Sequence, residues 1–241
     1  MAELAPEHIV KSYTHELTAL RDRITQMGGM VENQVALAVG AILQQDNAAA
    51  TQVVEQDPAV DKMERDIEAQ VIQMLALRQP MAQDLRQIVA SLKMTGDLER
   101  IGDYAANVAK RSIVLAEYRL PYSMGGIAHM TRLVQENLKL IIDAIGENDT
   151  DKAIQVWRAD QAVDDIYNAL FRELVTYMME DPRNITPCTH LLFIAKNLER
   201  VGDHATNIAE TVYYAVTGEL LPENRPKGDM SPYAVVRPPR A

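Results

Sequence analysis

The phrase Leu98-Glu99-Arg100-Ile101-Gly102-Asp103 returns as Leu198-Glu199-Arg200-Val201-Gly202-Asp203, and Asp57-x-x-x-Asp61 returns as Asp160-x-x-x-Asp164. Each half of the chain therefore carries two acidic pairs in the same order, and the fold has to be built from two copies of one unit. Within each pair the acids stand four residues apart, which on an α-helix puts them on one face, one turn above the other. Like charges at that spacing weaken an isolated helix by roughly 0.2–0.5 kcal/mol per pair. Repeated in matched positions, such pairs require something cationic to compensate them.

The setting of the pairs sharpens this point. Leu85, Ile88, Leu92 and Thr95 step by three and four residues, the period of a buried helix stripe, and the stripe continues into Glu99, Gly102 and Ala106. Leu192 and Ala195 lead in the same way to Glu199 and Gly202. Asp160 and Asp164 lie within a stripe formed by Trp157, Tyr167, Phe171, Leu174 and Met178, whereas Asp57 and Asp61 run on into Glu64 and Glu68. The first-half acids are thus expected to be the wetter set. Gly102 and Gly202, inside helices, each cost roughly 1 kcal/mol against Ala, and close approach by another backbone or a ligand is the expected reason.

Helical spacing accounts for the remainder of the chain. Leu17, Leu20, Ile24, Met27, Val31, Val35, Ala38 and Ile42 predict a first helix from His8 to about Leu43, with a kink or soft point at Gly28-Gly29. A turn at residues 44–47 leads to a second helix ending near Arg78. Because Pro is tolerated only near a helix start, its regular part is expected to begin at Asp57, before Pro58. A third helix spans about Ala82 to Tyr118. The Gly-rich break at residues 121–126 separates the halves, and further helices follow from Ile127 to Gly146, from Asp149 to Glu180, and after Asp181-Pro182 to about Thr217-Gly218. No segment alternates with period two for long enough to be a strand. The expected fold is all-α: six helices as two tandem three-helix bundles, residues 1–120 and 121–218, followed by a flexible Pro-rich basic tail, 219–241.

Composition excludes several classes of function. At 241 residues, 47% hydrophobic and 24% charged, the chain can bury a sizeable core. It has no apolar run of membrane-spanning length, and its start lacks the pattern of a signal peptide, so it is expected to be cytoplasmic. A single cysteine, Cys188, leaves no disulfide framework or thiolate cage and is expected to be a small residue at the start of a helix. The net charge of -10 argues against a nucleic-acid surface.

Oxygen-rich clusters on facing helices suit hard cations, or iron, manganese or zinc where carboxylate dominates. Asp57, Asp61, Glu99 and Asp103 form one candidate site, and Asp160, Asp164, Glu199 and Asp203 its counterpart; Asn107 and Asn207 could add a neutral oxygen or orient a carboxylate. The alternative is that these acids meet arginines of a partner or of neighbouring helices, with Arg100 and Arg200 bridging inside the unit. His204 falls outside the site, about 100° around the helix from Asp203. A metallohydrolase is the third reading. No Glu is followed three places on by His, as di-iron bundles require, and no Walker loop, dinucleotide fingerprint or nucleophile signature is present, so a structural or regulatory use of metal is favoured.

Together with Met27-Gly28-Gly29-Met30-Val31-Glu32, Arg78-Gln79-Pro80, Asp84-Leu85-Arg86 and Thr176-Tyr177-Met178-Met179-Glu180-Asp181, these motifs resemble the PhoU family of bacterial regulators associated with the phosphate-specific ABC transporter. The resemblance covers about Tyr13 to Gly218. It implies two similar three-helix bundles and a non-catalytic protein, frequently a homodimer. Such proteins restrain phosphate uptake and repress the phosphate-starvation response, the Pho regulon, by bridging the transporter's ATPase subunit and a membrane sensor histidine kinase. In some members the Glu/Asp-x-x-x-Asp motifs hold multinuclear metal clusters. Those motifs match Glu99/Asp103 and Glu199/Asp203, and Asp57, Asp61, Asp160 and Asp164 match acidic family positions. An iron, manganese or zinc cluster is the implied cofactor, with no organic cofactor, no nucleic-acid partner and no direct insertion into membrane. The Pro-rich tail departs from the family pattern.

Overall fold

The computed structural model describes residues 6–78, 80–118 and 124–222, with side chains from Thr14 onward; the expected tail from 223 lies outside the described residues. Six helices carry the fold: α1 (Pro6–Gln44), α2 (Asn47–Arg78), α3 (Ala82–Leu115), α4 (Gly125–Glu147), α5 (Thr150–Glu180) and α6 (Ile185–Thr217), with one 3-10 turn at Pro182–Asn184 before α6. They form two tandem three-helix bundles, α1–α3 and α4–α6.

The repeat extends to the corners. Gln45 and Asn148 both take a left-handed backbone, with φ of 55° and 53°. Each is followed by an aspartate that caps the next helix. Asp46 Oδ1 accepts from the amides of Ala48 and Ala49 at 2.9 and 3.1 Å, and Asp149 Oδ1 from those of Asp151 and Lys152 at 2.9 and 3.0 Å. Each cap satisfies amides that the first turn of a helix leaves without partners.

The predicted stripes are the core. Ile24, Met27 and Val31 of α1 are fully buried, as are Met130, Leu138 and Ile141 of α4, each such side chain contributing about 1.5–3 kcal/mol of transfer free energy. Leu85, predicted as the first member of the α3 stripe, stays exposed beyond its end.

One expectation is corrected and another is given a cause. The long first helix runs unbroken through Gly28-Gly29. A Cβ on Gly28 would stand 2.9 Å from Ile142 Cγ1, so this glycine serves the close crossing of α1 over α4. Helix α2, by contrast, does not begin at Asp57. It starts at Asn47 and passes through Pro58, because the Asp46 cap and the buried Ala50 and Val53 hold the preceding turns against the core, while Pro58 itself faces solvent.

Between the bundles, α1 meets α4 and α3 meets α6, the latter as extensive as the pairing of α5 with α6 inside a bundle. The two helices run antiparallel, since Asp97 reaches His204 and Arg111 stacks over Phe193. Tyr104 and His204 occupy the same place in the two repeats, and their rings meet with centroids 5.6 Å apart. Helices α2 and α5 pack extensively only within their own bundles, so each acid-bearing helix pair, α2/α3 and α5/α6, lies on a flank.

Candidate functional site

On the first flank α2 and α3 bring Asp57 and Asp61 against Glu99 and Asp103, as the spacing predicts. All four are half-buried. Burial, then the charges of Asp103 and Asp61, raises the Asp57 carboxyl above its ordinary range, with Lys110 pulling it back. Burial also raises Glu99, followed by Asp103 and Glu64, with Arg100 in opposition. Glu64 joins the cluster from the next turn of α2; it too is raised by burial, then by Glu68 and Asp61. The cluster is therefore short of positive charge. Arg100 supplies some, its guanidinium nitrogens standing 3.7 Å from Glu99 and 3.8 Å from Asp103, but its side chain is 60% exposed.

Gly102 explains how the helices come this close. A Cβ there would stand 3.4 Å from Val60 Cγ1 and 3.9 Å from Asp57 Oδ1. On the other flank the same point beside Gly202 lies 3.5 Å from Val163 Cγ1 and 3.9 Å from Asp160 Oδ1. The two sites share one backbone frame.

Their polar partners differ. Asp160, Asp164 and Glu199 are all buried. Lys196 Nζ donates to Glu199 Oε1 at 2.8 Å and lies 4.9 Å from the Tyr167 ring, and Thr206 Oγ1 donates to Asp160 Oδ1 at 3.1 Å. The residue equivalent to Lys196 in the first half is Gly96. The second set thus carries a lysine hydrogen-bonded to one of its acids, while in the first the exposed Arg100 stands near Glu99 and Asp103 and Lys110 acts on Asp57.

Three residues read from sequence stand elsewhere. Asn207 Nδ2 donates to Asp97 Oδ1, at 3.5 Å, rather than to a carboxylate of the acidic pairs. Asn107 is exposed. The Arg200 guanidinium lies over the Tyr104 ring of the other half, 5.6 Å from its centroid. His204, placed outside the site by helical angle, is engaged in the α3–α6 seam, 2.7 Å from Asp97.

Sequence reading missed Gln34 of α1. It is 1% exposed, and neither end of its carboxamide makes a hydrogen bond within the protein. Its Oε1 lies 3.1 Å from the point where a Cβ on Gly102 would stand, beside the Asp57 carboxylate. Gln34 follows Val31 by three residues, so it occupies a stripe position; a lone polar residue on an apolar face is too weak a signal to have marked it.

Among the described residues, no three acidic, histidine or cysteine side chains are grouped tightly enough to hold a metal ion as they stand. The first-half donor set nevertheless fits a hard cation in kind, with crowded carboxylates and a buried amide oxygen beside them. The second-half set fits less well, because a cation there must displace Lys196 from Glu199.

The model of the PhoU domain matches the sequence twice, over residues 24–112 and 127–212, once in each bundle. The chain belongs to the PhoU family. A phosphate-specific transport system accessory protein PhoU homolog from Caulobacter vibrioides is 50% identical over 225 residues, spanning 93% of this chain and 98% of that protein. The one from Rhizobium meliloti is 48% identical, over 93% and 95%. The crystal structure of PhoU from Pseudomonas aeruginosa superposes with a TM-score of 0.84 at 43% identity, covering 86% of this chain and 100% of that one. The phosphate transport system regulatory protein PhoU from Streptococcus pneumoniae gives 0.81 at 30% identity. Among the described residues no helix is long and apolar enough to cross a membrane.

Proposed function

We propose that this protein is an accessory and regulatory protein of a phosphate transport system, acting as a non-catalytic helical adaptor. The observation that carries this reading is the nearly end-to-end similarity to transport-system accessory proteins at 50% identity. Its partners in this reading are the ATPase subunit of the phosphate ABC transporter and the sensor histidine kinase that governs the Pho regulon, to which it binds as a homodimer at the inner membrane face. Residues 1–120 and 121–218 act as two copies of one unit.

Within it, Asp57, Asp61, Glu99 and Asp103 bind iron, manganese or zinc, and Asp160, Asp164, Glu199 and Asp203 form the weaker counterpart. Such an ion would supply the positive charge that the crowded carboxylates lack, and so brace α2 against α3. The same acids orient the surface that the adaptor offers to basic partners. Metal-free docking of partner arginines is the second reading. It is favoured by Arg100, which already stands beside Glu99 and Asp103.

The test is a quadruple variant, Glu99→Ala, Asp103→Ala, Glu199→Ala and Asp203→Ala, returned to a host lacking the native protein. Phosphate uptake and a phosphate-starvation reporter are expected to stay high in phosphate-rich medium, with helicity by circular dichroism unchanged. Normal repression by the folded variant would remove the acidic motifs from the regulatory role. Metal content by elemental mass spectrometry separates the two readings, since the second expects full regulation without bound metal.

A further inference from the structure

The acidic motifs lie on α2 and α3, yet a buried polar side chain from α1 reaches the same place beside Gly102. Gln34 is fully buried, and neither its Oε1 nor its Nε2 makes a hydrogen bond within the protein. Burying an amide without partners costs stability, so a residue kept in this condition among Val31, Val35 and Ala38 needs a reason that packing does not supply. Its position provides one. One end of the carboxamide lies 3.1 Å from the point a Cβ on Gly102 would occupy, and Asp57 Oδ1 lies 3.9 Å from the same point, so a buried amide with no partner in the protein borders the crowded first-half acids. An amide oxygen so placed is available to a cation that those acids attract.

A residue with a side chain at Gly102 would crowd the amide oxygen and close the approach to Asp57. The glycine therefore leaves the point near both groups free of a side chain. The other flank has no such arrangement. The shift that carries Asp57 to Asp160 carries Gln34 to Asn137, which is only half-buried, and there Lys196 supplies a cation from within the chain.

We infer that Gln34 is the neutral member of the first-half cation site, its amide oxygen completing a donor set with Asp57 and Asp103 that the carboxylates alone do not close. This rests on the cation reading proposed above. It makes the two repeats unequal: the first binds an exchangeable cation through three helices, and the second is balanced by its own lysine. An amide oxygen contributes no charge and suits a hard, oxygen-seeking divalent ion.

The test uses the full chain freed of metal with chelator and titrated with Mn²⁺ alone, free Mn²⁺ being followed by electron paramagnetic resonance. Thermal unfolding is measured in parallel without metal. Gln34→Leu keeps the size of the side chain and removes the amide. It is expected to weaken Mn²⁺ binding about tenfold to a hundredfold, the range for loss of a group supporting a metal site, while the metal-free Tm holds or rises. Gln34→Glu is expected to restore binding. Wild-type affinity in Gln34→Leu would overturn the role of Gln34 and leave the cation reading standing. A fall in metal-free Tm together with affinity would also overturn it, marking Gln34 as a structural prop. Absence of Mn²⁺ binding by the wild type, or unchanged binding in Asp57→Asn/Asp103→Asn, would sink the cation reading itself and the inference with it.

Discussion

Gly202 and Gly28 sit in helix interiors, but a methyl group added to each would meet opposite conditions. At Gly202 the nearest atom would be Val163 Cγ1 at 3.5 Å, an ordinary contact. Gly202→Ala then gains most of the roughly 1 kcal/mol that separates glycine from alanine in a helix, and Tm is expected to rise by about 2–4 °C in a chain of this size. At Gly28 the methyl would lie 2.9 Å from Ile142 Cγ1, a branched and buried side chain with no room to retreat. Gly28→Ala is expected to cost about 1–3 kcal/mol by overpacking, and urea denaturation of the two variants should shift in opposite directions. The close approach at Gly102 was legible in the sequence, because that glycine interrupts an apolar stripe beside repeated acids; the same expectation at Gly202 fails, since there a Cβ would meet nothing nearer than 3.5 Å. The role of Gly28 was not legible, since helical period tells which face is buried and not which residue of another helix crosses it. The same blindness hid Gln34: its burial depends on α3 presenting a glycine opposite, information that lies far along the chain.

At the scale of the element, α2 shows tertiary packing overriding local preference. Pro58 removes one backbone donor inside the helix and its ring presses on the preceding turn, yet the helix runs through it from Asn47 to Arg78. Ala50 and Val53 before it and Val60 after it are buried at 1% exposure or less, and a break would expose one group or the other. Pro58→Ala, at an exposed position, is expected to stabilise the protein by about 1–3 kcal/mol, read as a higher urea midpoint with unchanged slope. A drop in stability would mean that the proline shapes the α2 face on which Asp57 and Asp61 stand. Helix number and order could be read from the sequence because apolar stripes, the turn at 44–47 and the Gly- and Pro-containing breaks are local signals. The start of α2 was misread, because Pro58 is a stronger local signal than the Asp46 cap and the burial of Ala50 and Val53 that keeps the earlier turns helical is set by packing.

For the whole molecule, the acidic flank governs how stability responds to pH. Asp57, Glu64 and Glu99 bind protons more tightly in the folded than in the unfolded chain. Folding therefore takes up protons between their ordinary values, 3.8 for Asp and 4.5 for Glu, and the raised folded ones, and stability falls as pH climbs through that window. Asp181, lowered by its bonds to Arg183, acts in the opposite sense and only at more acidic pH. Metal-free protein is expected to show a rising urea midpoint as pH is lowered from neutral through the raised folded range of these acids. Asp57→Asn with Glu99→Gln should flatten the profile, and so should saturating Mn²⁺ if the cation replaces the protons; a profile identical in wild type and variant would contradict the crowding of charge. Across the molecule, the seam where Tyr104 meets His204 has a consequence of a different kind. The two rings come from equivalent places and touch each other, so the surface joining half to half is the surface that a single half would offer to a copy of itself, as in an isologous pair. Joined in one chain, the two halves need not stay alike on their outer flanks, and they do not: Lys196 stands on one where Gly96 stands on the other.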